Sequence, residues 1–193
     1  MIVTWLPSWL STDLPLISGF LTWIVVLSWL WRSGWKIQRR YFIEATQKPL
    51  TRNAIVWSAG IVGAVFFVAA QMRPGMPGVM TVAMIGALSA YVDARTHRLP
   101  NAYTVAMGIG VVLGVIVGGV ISPLWQERLL GALIGALIWF VPIALLNRLP
   151  GGMGGGDVKL APVLGALVGS VGLHAAFFAL ALSFVSAGVA ALW

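Results

Sequence analysis

Long apolar stretches alternate with short polar or glycine- and proline-broken connections along the whole chain. Residues 14–31 are apolar over about the 20 residues that a bilayer core requires, and residues 32–53 then carry Arg32, Lys36, Arg39, Arg40, Lys48 and Arg52 against Glu44. A second apolar segment, 54–72, leads to a turn at 73–78 whose prolines and glycines stop a helix. The third opens at Val79 and runs to about Tyr91; it reaches full length only if its helix continues through Asp93 toward Arg95. Residues 95–101, Arg-Thr-His-Arg-Leu-Pro-Asn, are polar and broken by proline, and further segments follow at 102–121 and 129–146, the latter with Pro142 expected to kink it. After the glycine-rich loop 149–156, two more run to about Gly172 and from His174 to Trp193. The pattern predicts an all-α, polytopic transmembrane helix bundle of about seven spans, with six to eight compatible, forming one membrane domain over 1–193.

Composition agrees, since 60% of the 193 residues are hydrophobic and 9% charged, against about 45–50% and about 25% in soluble domains. The net charge of +7 does not imply nucleic acid, because the basic residues lie between apolar spans rather than along one face. Residues 32–53 together with Arg95, Arg98, Arg148 and Lys159 fall on one side, and Arg73 and Arg128 on the other. The positive-inside rule then puts the N-terminus outside, and 32–53 and the glycine loop on the cytoplasmic side; Trp29, Trp31 and Trp35 suit an interfacial belt. There is no cysteine, and His97 and His174 are too far apart for an obvious metal site. No basic leader with a cleavable apolar core opens the chain, so no signal peptide is expected. Glycines at helical spacing, 110/114/118, 131/135 and 165/169, predict close helix contacts.

Of the five acidic residues, Asp13, Glu44 and Glu127 fall where water solvates them, whereas Asp93 and Asp157 border apolar spans on the predicted cytoplasmic side. A charge at the bilayer centre costs about 2.5–3.5 kcal/mol on insertion scales and less near the interface, so such acids need a reason. Gly86 and Ser89 precede Asp93 at helical spacing and predict a bundle-facing stripe. Structural roles remain open for each: Asp157 as a helix N-cap after the glycines, Asp93 in an ion pair with Arg95, Arg98 or Lys159. Two neighbouring carboxylates share one proton, and such a pair hydrolyses a peptide bond: one takes a proton from the attacking water while the other protonates the carbonyl oxygen. Asp157, at a helix start, suits the base and Asp93, late in its helix, the initial acid. Gly154, Gly155 and Gly156 would let an extended substrate come close. No metal or cofactor is required.

Gly154-Gly-Gly-Asp157, within Gly152-Met-Gly-Gly-Gly-Asp-Val-Lys-Leu160, and Asp93-Ala-Arg-Thr-His-Arg-Leu-Pro-Asn101 together resemble the two signatures of type IV prepilin peptidases, membrane aspartic proteases of the GxGD class. The resemblance covers 79–172, the expected catalytic core. It implies Asp93 and Asp157 as the catalytic pair, pilin-like precursors of pili or type II secretion systems as substrate, and removal of a short basic leader at the cytoplasmic face of the bacterial inner membrane. Lys159 and Arg98 are possible orienting residues. Longer members of that family carry a cysteine-containing domain linked to N-methylation where this chain has only 32–53, so methyltransferase activity is not expected, and the chain stops at Trp193 near the end of a span, which leaves room for a further segment. The alternative from another class is a small proton- or cation-coupled transporter using the same two aspartates.

Overall fold

The computed structural model describes residues 8–70, 75–122, 124–150 and 153–191, and the regular structure among them is entirely helical. The chain divides into two compact units, Met1–Pro123 and Leu124–Trp193. Each of the seven expected hydrophobic segments corresponds to a helix. Five stretches among the described residues are long and apolar enough to cross a membrane: Asp13–Glu44, Arg52–Ala69, Met76–Thr96, Asn101–Ile121 and Trp125–Asn147.

In the first unit, α1 (Ser8–Trp29) passes through a π-helical turn (Leu30–Gly34) into α2 (Trp35–Glu44), followed by α3 (Arg52–Ala69), α4 (Met76–Thr96) and α5 (Asn101–Ile121). Residues 32–53, expected as a loop, are therefore helical as far as Glu44. The physical reason is amphipathic spacing: Gln38 and Phe42, one turn apart, are buried while Lys36, Arg39 and Arg40 are exposed. The 32 residues of Asp13–Glu44 span about 48 Å at the helical rise, well over the roughly 30 Å of a bilayer core. The polar α2 must therefore project beyond it. The turn expected at 73–78 also shortens: residues 71–74 lie outside the described residues, and Met76, Pro77 and Gly78 already form the first turn of α4. Proline suits that position because the first helical N–H groups have no intrahelical acceptor.

Side chains fill this unit's core. Met76, Met80 and Met84 recur every fourth residue of α4 and are fully buried, with Met107 from α5. Small residues on the neighbouring helices make room for them. Gly19 of α1 faces Met76, and Gly63 of α3 faces Met84 and the Trp23 indole. Gly110 of α5 lies against Thr81, whose hydroxyl donates to the carbonyls of Pro77 (2.9 Å) and Gly78 (3.1 Å). The Tyr103 hydroxyl, buried, donates to the Gly34 carbonyl at 3.0 Å and ties α5 to the π turn.

The second unit comprises α6 (Trp125–Asn147), α7 (Gly155–Gly169) and α8 (Leu173–Ala191). Pro142 lies within α6 and Pro162 within α7. Here α6 and α7 meet through backbone. A methyl group on Gly131 would overlap the Gly169 carbonyl oxygen and one on Gly169 that of Gly131; Gly135 and Gly165 are related in the same reciprocal way. Two of the expected glycine pairs thus form a single antiparallel seam. Trp139, beside it, donates its indole N–H to the Ala176 carbonyl of α8 at 3.0 Å.

Candidate functional site

Asp93 is half-buried in the last turn of α4. The helix stops there because His97 takes a left-handed conformation (φ 51°) and returns its N–H to the Asp93 carbonyl at 2.7 Å. Thr96 closes the same turn, its hydroxyl donating to the Val92 carbonyl at 2.8 Å. Pro100 then caps α5 in extended conformation. One turn before Asp93, Ser89 is buried, as the small and polar stripe required, and no group among the described residues satisfies its hydroxyl.

The arginines near Asp93 are engaged elsewhere. Arg98 Nη1 donates to Glu44 Oε2 at 2.9 Å, and the Arg95 guanidinium lies over the Tyr91 ring, 5.7 Å from its centre. Among the described residues of this unit, Asp93 forms no ion pair with either. What surrounds its helix end is the tail of α2 and the residues after it. Phe42 stacks on Tyr91 (6.1 Å between centroids, 16° between planes), and the Gln47 amide donates to the Arg95 carbonyl at 2.9 Å. Hydrogen bonding from Arg40, with the nearby charge of Arg98, holds the exposed Glu44 carboxyl below its usual range. Residues 42–47 were not legible as part of this site, because their basic neighbours read as topology; the one available signal was the four-residue spacing of Gln38 and Phe42.

Asp157 is exposed in the first turn of α7. The N-cap is not Asp157, as one reading of the glycine loop suggested, but Gly154, which is extended (φ −66°, ψ 149°). Its carbonyl accepts the Asp157 N–H at 3.1 Å. Asp157 is therefore the third helical residue, where the helix dipole favours a carboxylate; Asp93, at a helix C-terminus, experiences the opposite field. A methyl on Gly154 would stand 3.5 Å from Asp157 Oδ2, an ordinary contact, and one on Gly155 would meet nothing within 4 Å. Among the described residues, a side chain at either glycine would find room. Gly156 is half-buried and Lys159 exposed, while Gly151 and Gly152 lie outside the described residues.

The turn itself is anchored from below. Met153 and Val158 pack against Trp139, Ile143 and Ala161, and the Asn147 side chain donates to the Met153 carbonyl. The first unit thus assembles Asp93 and Arg98 with the α2 tail, and the second assembles Gly154, Gly155, Gly156, Asp157 and Lys159 in one helix start.

The sequence pattern of the type IV leader peptidase family matches residues 79–192, a stretch that takes in both aspartates. The chain belongs to the type IV leader peptidase family. A curated relative, the prepilin leader peptidase/N-methyltransferase of Bacillus subtilis (strain 168), is 34% identical over 128 residues, 63% of this chain and 48% of that protein. The chain spans about half the length of that relative. No solved structure matches it. The leader peptidase match begins within the first turn of α4, so the α2 tail that packs on the Asp93 end lies outside it.

Proposed function

We propose that the protein is a membrane-embedded aspartic endopeptidase that removes the basic leader from type IV pilin-like precursors, and that Asp93 and Asp157 are its catalytic pair. The observation that carries this reading is that the family match encloses both aspartates, one in the last turn of α4 and one in the first turn of α7. Their opposite places relative to the helix dipoles support a division of labour. Asp157, ionised, takes a proton from water as the water oxygen attacks the scissile carbonyl carbon; Asp93, protonated, gives its proton to the carbonyl oxygen. Collapse of the tetrahedral intermediate breaks the C–N bond: the departing amine takes the proton held by Asp157, and a diol hydroxyl returns a proton to Asp93 as the C=O re-forms, which restores both acids. Gly154 and Gly155, both exposed, have no side chain to hold off an extended leader junction. Lys159 and Arg98 are orienting groups in this scheme, Arg98 through Glu44.

The positive-inside distribution supports a cytoplasmic site in an inner membrane. Within the first unit, the ion pair of Arg98 with Glu44 brings two of the basic segments to one end. Purified protein in lipid vesicles, mixed with a pilin-like precursor, is expected to shorten the precursor by the mass of its leader, and Asp93→Ala or Asp157→Ala to abolish this. An intact precursor together with aspartate-dependent proton flux into the vesicles would reject the peptidase and favour the transporter.

A further inference from the structure

Two residues other than glycine have positive φ among the described residues, Thr46 (55°) and His97 (51°). They end neighbouring helices: Thr46 lies just past α2, and His97 caps α4. A side chain in the left-handed region crowds its own carbonyl, so this conformation is uncommon outside glycine. Three contacts link these two ends. Phe42 stacks on Tyr91, Gln47 donates to the Arg95 carbonyl, and Glu44 pairs with Arg98, so that residues from both sides of Thr46 grip residues from both sides of His97. The Arg95 carbonyl is one of the terminal acceptors that a helix leaves without an internal donor, and Gln47 supplies the donor from the connection that follows α2. Asp93 sits between the gripped residues, on the turn whose N–H to C=O bond runs from His97 to Asp93 itself.

We infer that the tail of α2 and the residues just past it, through Phe42, Glu44 and Gln47, form a positioning clamp that sets the Asp93 end of α4 for peptide-bond cleavage; this rests on the catalytic reading of Asp93. Glu44, Gln47 and Phe42 touch no reacting atom in this account. Each link is weak alone, since water screens an exposed ion pair. Their effect is on placement, where an error of about 1 Å in a reacting group costs as much as about 100-fold in rate.

The test is cleavage of a pilin-like precursor by the full chain in vesicles, with kcat and KM separated and thermal unfolding followed in parallel. Glu44→Arg is expected to lower kcat about tenfold with KM nearly unchanged, and the exchange Glu44→Arg with Arg98→Glu to recover most of it. Gln47→Glu, which keeps shape but removes the donor, is expected to lower kcat in the same way without a matching loss of thermal stability. Lys36→Gln, an exposed charge change on the same helix, is expected to leave both constants as they are. Full kcat in both Glu44→Arg and Gln47→Glu, or a loss that the charge exchange does not recover, would overturn the clamp, provided Asp93→Asn is inactive. Cleavage by Asp93→Asn would overturn the catalytic reading itself and the clamp's purpose with it.

Discussion

The helix that carries Asp157 meets its neighbour backbone to backbone, through Gly131, Gly135, Gly165 and Gly169, whereas the half of α4 that carries Asp93 is held by side chains, the methionines inside and the α2 tail with Gln47 at its end. The two constructions tolerate change differently. At the seam no atom can move aside, because what an added methyl meets is a carbonyl oxygen of the partner helix. In the first unit, backbone meets backbone at the start of α4, where Gly114 of α5 lies against Gly75 and Gly78; further along α4 what fills the space is thioether and ring, and methionine adapts its three rotatable bonds to irregular gaps. A rigid seat under Asp157 and an adjustable one under Asp93 make Asp93 the member whose position other residues can tune.

The comparison breaks most visibly at the seam. Gly165→Ala is expected to destabilise the second unit, because forcing a methyl into a closed contact costs about 1–3 kcal/mol, more than the about 1 kcal/mol that alanine contributes as a better helix former. Met84→Leu, at a fully buried site of the first unit, conserves volume and is expected to cost less than about 1.5 kcal/mol. Thermal unfolding of the two variants in the same lipid checks both; equal losses would remove the distinction between the seats.

A smaller effect concerns acid. The Glu44 carboxyl is held below its usual range in the folded chain, so the stabilisation from its pairs with Arg40 and Arg98 is fully present above the ordinary carboxylate value of about 4.3. It disappears as pH falls through the lowered folded value. Because the pairs are exposed, the change is small. Stability measured from pH 7 down to 3 is expected to fall less steeply in Glu44→Gln than in the parent chain, the parent being slightly the more stable by a constant margin above pH 6 and the margin closing as pH falls through the lowered Glu44 value.

The spans were legible in the sequence because a bilayer imposes long apolar runs, and the two aspartates because a carboxylate beside such a run stands out. The glycine spacing was legible as contact, although only the folded chain shows that 131 pairs with 169 and 135 with 165. The α2 helix was hidden because six basic residues over 32–53 satisfy a topological rule that makes no demand on conformation, while Gln38 and Phe42 alone mark the buried face. The start of α7 stayed open in the sequence because an aspartate after glycines is a good N-cap by type. Here the extended Gly154 takes that position and leaves Asp157 inside the first turn.

That two aspartates on such different supports act as one unit is the central claim, and single-turnover cleavage of a pilin-like precursor by Asp93→Asn, Asp157→Asn and the double variant tests it most directly. Residues that share one proton are grossly non-additive. Each single variant is expected to lose at least about 1,000-fold and the double variant little more than either. Cleavage near the wild-type rate in one single variant, or losses that multiply in the double, would contradict the account.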